Sequence, residues 1–284
     1  MVVRCVALLA LSAGWALAAD PIEIRLWPGG APNGWKAPAG AEKWEERGKD
    51  GVPDRSVLNI GDPMITVFLP PPERRNGGAI LIAPGGGYHH LAYDKEGLDI
   101  ARWVNTLGLV GVVLKYRMPD LPAAALRPAL FGDAKDAAKA VHVAVEDAEE
   151  AMRIIRARGK EWGIGPQHVG MMGFSAGGHL AALLGMSPNK EVRPNFLALL
   201  YPAIPETLYV NGETPPTFLA HADDDALSAE NSVRFYLALK KAKVPAELHV
   251  FAGGGHGFGL KKTGKTSEAW PDRFAAWLGR GHAH

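Results

Sequence analysis

The chain of 284 residues carries 31 Lys and Arg against 30 Asp and Glu, and 47% of its residues are hydrophobic. This composition is typical of a globular protein and excludes a collagen, a coiled coil and a disordered tail. A net charge of +1 gives no electrostatic reason to expect nucleic acid as a partner, and a single cysteine, Cys5, excludes a disulfide scaffold.

Residues 1–19 have the features of a secretory signal peptide. Arg4 precedes an apolar run over residues 5–11, and small residues at 16–18 provide a cleavage site. A short transmembrane anchor is the alternative, but Ser12 interrupts the apolar run. We therefore expect a secreted or periplasmic protein with no membrane span in the mature form.

Residues 20–56 are rich in Gly, Pro and Trp and show no sustained periodicity. They predict an irregular N-terminal extension that wraps the main domain. Trp27, Trp35 and Trp44 of this extension could stack on sugar rings, or they could cover the hydrophobic core.

From residue 57 onward, short apolar runs alternate with amphipathic helical patterns. The candidate strands are 64–69, 79–83, 111–116, 169–173, 196–201, 217–221 and 247–251. The candidate helices are 96–107, 145–160, 177–186, 229–241 and 268–278, while residues 120–139 allow no clear assignment. This alternation predicts an α/β fold in one domain over 57–284, with a mostly parallel central sheet and helices on both faces.

The motif Gly173-Phe-Ser175-Ala-Gly177 stands between a predicted strand and a predicted helix. A strand-to-helix turn flanked by glycines projects its serine above the sheet, where the hydroxyl can act as a nucleophile. An ordinary N-cap serine in a glycine-rich junction is the alternative.

A serine nucleophile needs a histidine base and a carboxylate that orients the histidine, and in this type of fold they follow in the order Ser, Asp, His. Within a glycine-flanked loop past the last predicted strand, His256 is our candidate base. The loop after strand 217–221 contains three consecutive carboxylates, of which Asp225 is the preferred acid and Asp224 the reserve.

A second glycine-rich loop, Pro84-Gly-Gly-Gly-Tyr88, follows the apolar strand 79–83. Glycines allow backbone N–H groups to approach a substrate oxygen closely. Together with the N–H of Ala176, this loop predicts an oxyanion hole, although a plain glycine-rich turn would look the same.

These segments together resemble α/β-hydrolases of the secreted acetylxylan esterase or xylan esterase-like group. The resemblance spans roughly residues 57–280 and rests on segments 84–97, 114–117, 173–180, 230–236 and 254–259. It implies a serine esterase that needs no cofactor and no metal and that hydrolyses short acyl esters, with O-acetyl groups on xylan or a related polysaccharide as the favoured substrate. The implied site residues are Ser175, His256 and Asp225 as catalytic triad, with Gly86, Gly87 and Ala176 as oxyanion donors.

This sequence departs from the resembled pattern at two places. Pro84 stands where many relatives have His before the three glycines, and the acid loop continues Asp225-Ala-Leu-Ser rather than Asp-Pro-Val-Val-Pro. A feruloyl or general carboxylesterase is the runner-up, followed by a peptidase and by an inactive hydrolase fold that only binds a ligand.

Residues 259–264 and the following Lys265-Thr266 match the phosphate-loop pattern of nucleotide-binding proteins. The match starts several residues beyond the preceding strand, and the same loop must already position His256. We therefore interpret it as a coincidence, with nucleotide binding as a distant alternative. The adjacent His89 and His90 cannot easily face one metal ion.

Overall fold

The structure is a computed structural model that describes residues 20–36, 40–48 and 51–282. The predicted signal peptide, residues 1–19, lies outside the described residues. Strands in chain order are β1 (Ile22–Arg25), β2 (Lys43–Glu46), β3 (Arg55–Leu58), β4 (Met64–Phe68), β5 (Ala79–Ala83), β6 (Val110–Lys115), β7 (Val169–Phe174), β8 (Leu197–Leu200), β9 (Thr217–Ala222) and β10 (Ala246–Phe251). Helices are α1 (Asp99–Thr106), α2 (Ala123–Phe131), α3 (Ala134–Ala140), α4 (His142–Trp162), α5 (Ala176–Gly185), α6 (Glu230–Lys241) and α7 (Trp270–Trp277).

An eight-stranded sheet organises the molecule, in the strand order β1-β4-β6-β5-β7-β8-β9-β10. Neighbouring strands are parallel from β6 through to β10, whereas β1 and β4 are antiparallel to their partners at one edge. Every residue of β5, β6 and β7 is buried, as expected for strands covered on both faces. The mostly parallel sheet and its seven predicted strands, found as β4 to β10, are confirmed.

The N-terminal extension, expected to be irregular, supplies two strands and part of a third. β1 pairs with β4 at the sheet edge, and its Ile22 and Ile24 pack on the core. β2 pairs with β3 in a separate hairpin that crosses the expected boundary at residue 57. These strands escape sequence analysis because they are four residues long and largely polar.

Trp27 and Trp35 cover a buried ionic cluster rather than a free surface. The Trp27 indole N–H donates to Asp147 at 2.7 Å, and the guanidinium of Arg117 lies 5.7 Å from the Trp27 ring centre and 5.0 Å from that of Trp35. Arg117 is fully buried and forms an ion pair with Asp147 at 2.8 Å. The contacts of these two tryptophans support the core-cover interpretation, whereas Trp44 is partly exposed and packs edge-on against Tyr93.

Two helices, α2 and α3, occupy the segment that allowed no assignment from sequence. Pro128 lies inside α2, and Leu126 and Leu130 of this helix are buried. The helix predicted over 96–107 begins instead with a π-helical turn, Asp94–Leu98, that leads directly into α1. Within the described ranges, no helix is long and apolar enough to cross a membrane.

Candidate active site

A strained turn between β7 and α5 presents Ser175. Its φ of 52° and ψ of −114° are unfavourable for a residue with a side chain. The turn can close because its neighbours are glycines: a Cβ on Gly177 would lie 2.0 Å from the carbonyl oxygen of Ala83. Ser175 thus stands at the N-terminal end of α5, where the helix dipole favours a developing negative charge.

Hydrogen bonds connect Ser175, His256 and Asp225 in one line. The Ser175 Oγ lies 2.8 Å from His256 Nε2. On the other side of the ring, His256 Nδ1 lies 2.8 Å from Asp225 Oδ2 and 3.0 Å from Oδ1. With Nδ1–H donating to the carboxylate, Nε2 is left as the acceptor for the serine hydroxyl, which is the arrangement that activates a serine.

The Asp225 carboxylate is buried and accepts several hydrogen bonds. Its Oδ1 accepts a hydrogen bond from the Leu227 N–H at 2.7 Å, and its Oδ2 lies 3.3 Å from His221 Nε2. Burial raises the pKa of Asp225, but the hydrogen bonds from His221, His256 and the Leu227 N–H outweigh it and hold this pKa below its usual range. Asp225 therefore stays ionised opposite His256.

The two neighbouring carboxylates point elsewhere. Asp223 and Asp224 are exposed. Asp224 Oδ1 accepts hydrogen bonds from the N–H groups of Gly254 at 2.8 Å and Gly255 at 2.7 Å. Asp224, the reserve candidate, thus binds the backbone of the loop that carries His256 and does not contact the His256 ring.

The glycine-rich loop after β5 lies beside the serine. Gly86 and Gly87 both have positive φ values, 135° and 64°, and the Gly86 carbonyl accepts hydrogen bonds from the N–H groups of His89 and His90 at 3.0 and 3.3 Å. Gly87 lines the same cleft as Ser175 and Ala176, while Gly86 lies one residue further back and is half-buried. Gly87 and Ala176 thus line the cleft together with Ser175, although Gly87 comes from a loop that is distant from the serine in the chain.

A cleft of about 480 Å³ opens above Ser175. Its apolar side chains come from α2 and from the loops after β8 and β9: Leu126, Leu130, Phe131, Ala203, Ala226 and Leu227. Besides the serine and the base, its polar side chains are His89 and Arg127. This mostly apolar lining suits an apolar part of a ligand better than a hydroxyl-rich part.

His179 of α5 connects this helix to the glycine-rich loop after β5. Its side chain is fully buried, and its Nδ1 lies 2.9 Å from the hydroxyl of Tyr88, the residue after Gly87. Burial lowers the pKa of His179 to about 3, so the imidazole is neutral.

Sequence analysis missed Glu96, a buried carboxylate behind the glycine loop. It accepts hydrogen bonds from the Gly85 N–H and the Tyr201 hydroxyl. Its position inside the predicted helix gave no signal, because only the folded chain brings Tyr201 beside it.

The phosphate-loop match at residues 259–266 is occupied by the protein itself. The N–H groups of Thr263 and Gly264 both donate to the carboxylate of Glu268. The Thr266 hydroxyl exchanges hydrogen bonds with the backbone of Gly253. Amides that already bind a carboxylate are not available to a phosphate, which argues against the nucleotide alternative. Among the described residues, no group of three His, Cys, Asp or Glu side chains could hold a metal ion.

Family models divide the chain at β8. The BD-FAE family model matches residues 65–199, and the Prolyl oligopeptidase family model matches residues 199–282. An acetylxylan esterase of Xylanibacter ruminicola is 31% identical over 67% of this chain. This chain spans only 43% of the length of that relative.

Solved structures share the architecture over most of the chain. An acetyl ester-xyloside bifunctional hydrolase from Caldicellulosiruptor lactoaceticus superimposes with a TM-score of 0.67 at 26% identity, and the match covers 93% of this chain and 97% of that one. An α/β hydrolase from a Medee basin deep-sea metagenome library has a TM-score of 0.63 at 25% identity, covering 86% of this chain and 99% of that one.

Proposed function

We propose that this chain, a member of the acetylxylan esterase-like group of α/β-hydrolases, is a carboxylic ester hydrolase that removes acetyl groups from xylan or a related polysaccharide through Ser175, His256 and Asp225. The observation that carries the proposal is the hydrogen-bonded line from Ser175 Oγ through the His256 ring to a buried carboxylate. It opens on a cleft that can admit a substrate.

The reaction proceeds by acyl transfer. His256 Nε2 takes the proton of Ser175 as the Oγ attacks the ester carbonyl. The N–H groups of Gly87 and Ala176 bind the oxyanion that forms, and Gly86 either shapes this oxyanion hole or contributes a third N–H group. The imidazolium, held by Asp225, then protonates the leaving alcohol. Water, activated by the same histidine, hydrolyses the acyl-enzyme and restores the free serine.

The acetyl-xylan preference is supported by the relatives. Both the Xylanibacter ruminicola protein and the Caldicellulosiruptor lactoaceticus hydrolase are described by acetyl ester or acetylxylan activity.

A larger acyl group is the second candidate, and the lining of the cleft favours it. An acetyl group would fill only a small part of a cleft of about 480 Å³, whereas a longer chain or an aromatic ring could bury apolar surface against Leu126, Leu130 and Phe131. The apolar lining of the cleft is therefore the observation in favour of a feruloyl or general carboxylesterase.

Two measurements test the proposal. Ser175→Ala should lower kcat on p-nitrophenyl acetate by a factor on the order of 10⁴ or more and should abolish labelling by a fluorophosphonate probe. Ser187→Ala, a serine near the other end of α5, is the matched control and should keep activity and labelling. A folded Ser175→Ala enzyme with near-normal turnover would refute the assignment.

The acyl preference is read from a substrate panel. The panel compares p-nitrophenyl acetate, butyrate and octanoate, methyl ferulate and acetylated xylan under one set of conditions. The acetyl assignment is supported if the enzyme releases acetate from acetylated xylan and has a higher kcat/KM for p-nitrophenyl acetate than for p-nitrophenyl octanoate. A preference for octanoate or ferulate would transfer the function to the second candidate.

Export of the protein is a further part of the proposal. It is supported by the charge and the small-residue site within residues 1–19. N-terminal sequencing of protein recovered from the periplasm or medium of a bacterial host should show cleavage after Ala18 or Ala19. Full-length protein retained in the cytoplasm would contradict export.

A further inference from the structure

Glu96 stands between the two loops that carry the proposed catalytic groups. We call residues 84–92 the oxyanion loop and residues 252–259 the histidine loop. Resting on the proposed function, we propose that Glu96 is a positioning residue that holds these two loops at a fixed distance from each other, so that the oxyanion donors and His256 act on one substrate carbonyl.

One oxygen of the Glu96 carboxylate binds the oxyanion loop. Its Oε2 accepts a hydrogen bond from the Gly85 N–H at 2.9 Å, while the Gly85 carbonyl accepts one from the Ala92 N–H at 2.9 Å. A Cβ on Gly85 would lie 2.7 Å from Glu96 Oε2 and 2.9 Å from the Cβ of Ser175. Gly85 is therefore packed between the carboxylate and the serine turn, and any movement of Glu96 reaches both.

The other oxygen binds the histidine loop through Tyr201. Glu96 Oε1 accepts a hydrogen bond from the Tyr201 hydroxyl at 3.0 Å, and that hydroxyl accepts one from the Gly259 N–H at 3.2 Å. The ring of Tyr201 packs edge-on against His256 with the ring centres 5.1 Å apart. Tyr201 thus supports the base on its ring face and the loop at its hydroxyl.

The histidine loop also passes close to Glu96. A Cβ on Gly257, the residue after His256, would lie 3.7 Å from Glu96 Oε1 and 3.7 Å from Lys95 Nζ. The charged side chains near the histidine loop therefore include Asp224 and Asp225, which accept hydrogen bonds from it, and Glu96 and Lys95 beside Gly257.

Burying the carboxylate of Glu96 costs free energy of folding. Glu96 is 3% exposed, and burial raises its pKa above the usual range, while Lys95 and the hydrogen bonds from Gly85 and Tyr201 act in the opposite direction. No Lys or Arg of the described chain lies within ion-pair distance of it. An apolar side chain would fill the same space at a lower cost in folding free energy. What the carboxylate adds at this position is its hydrogen bonds to both loops.

Removing the positioning group should affect turnover rather than binding. Glu96→Gln keeps the size of the side chain but presents an N–H₂ to one of its two donors, so one loop loses its anchor. A small misplacement of catalytic groups can lower the rate about 10²-fold. We therefore expect kcat on p-nitrophenyl acetate to fall about 10- to 100-fold. KM should change less than about twofold.

Tyr201→Phe tests the second arm, because it removes the hydroxyl bridge and leaves the ring on His256. It should also lower kcat at near-constant KM. In the double variant the losses should not multiply, because both substitutions break one network. Asp94→Asn is the matched control: Asp94 is a buried carboxylate in the same π-helical turn that binds Arg55, and its loss should lower the melting temperature but leave kcat within about twofold.

The outcomes separate this inference from the proposed function. An inactive wild-type protein would refute the proposed function itself. An active wild-type protein together with a folded Glu96→Gln or Tyr201→Phe variant of unchanged kcat would overturn the positioning role alone. Should Glu96→Gln fail to fold, Tyr201→Phe decides: selective loss of kcat supports the role, and unchanged kcat, or equal loss in Asp94→Asn, refutes it.

Discussion

Three consecutive aspartates follow β9, and their side chains have different tasks that substitution can separate. Asp225→Asn is the decisive change. An amide at this position presents an N–H₂ or a carbonyl oxygen to His256 Nδ1 and no longer stabilises the imidazolium, while the shape of the side chain is kept.

The magnitude follows from the contacts of each carboxylate. Asp225 accepts both from the His256 ring and from the Leu227 N–H, so we expect its loss to lower kcat by a factor on the order of 10³–10⁴. Asp224→Asn keeps an oxygen that can accept the same two backbone N–H groups and should be nearly normal. Asp224→Ala removes both hydrogen bonds, which should cost about 1–3 kcal/mol of stability and lower kcat by about tenfold or less through a looser histidine loop.

Kinetics with p-nitrophenyl acetate and urea unfolding of the three variants provide the assay. Asp224→Asn serves as the matched control for Asp225→Asn, since both replace a carboxylate by an amide in the same loop. A crippled Asp224→Asn enzyme beside a nearly normal Asp225→Asn enzyme would refute the assignment of the acid and move it by one residue.

Three further predictions concern stability and the phosphate-loop match. Burial lowers the pKa of His179 from 6.5 to about 3, so only the unfolded chain takes up this proton as the pH falls from 7 to 5. Over this range the free energy of unfolding of the wild-type protein should therefore fall by about 2 kcal/mol more than that of His179→Gln. Urea unfolding at both pH values measures this difference, and equal losses in the two proteins would contradict the prediction. Lys265→Ala should leave ester hydrolysis unchanged, and MgATP should not shift the melting temperature of either protein; stabilisation by MgATP that depends on Lys265 would revive the nucleotide alternative. Trp27→Phe keeps the ring but removes the N–H that donates to Asp147, so denaturant unfolding should show a loss of about 1–2 kcal/mol with esterase activity unchanged, and a change in activity would show that this tryptophan also serves the site.

The central sheet could be predicted from the sequence because its strands are buried on both faces. Ala79–Ala83 and Val169–Phe174 are short and consist almost entirely of apolar residues and glycine, a pattern that few other elements produce. β1 and β2 carry charges at every second position or more, and their pairing partners are distant or equally polar. Periodicity does not detect such strands, because tertiary pairing rather than local preference forms them.

The serine, histidine and aspartate candidates were predictable for a different reason: each lies in the turn or loop that follows a strand of a parallel sheet, and the carboxyl ends of parallel strands meet at one edge. The choice between Asp224 and Asp225 was not predictable, because it depends on which side chain the loop turns inward. The supporting contacts were invisible for the same reason. Glu96 and Tyr201 are 105 positions apart in the chain, and nothing in either local sequence indicates the other.

The contacts around the site suggest why it can be rigid although both catalytic loops are rich in glycine. Glycine allows the oxyanion loop to approach the serine turn, but it also leaves the chain conformationally free in the absence of other restraints. Each glycine segment is bound by a carboxylate from elsewhere: Asp224 holds the N–H groups of Gly254 and Gly255, and Glu96 holds that of Gly85. Hydrogen bonds from backbone N–H groups to these carboxylates restrain the loops that donate them, so the two side chains restore order that the glycines alone do not provide. Under the proposed mechanism, preorganisation of the site for acyl transfer therefore depends on Asp224 and Glu96 as well as on the proposed triad.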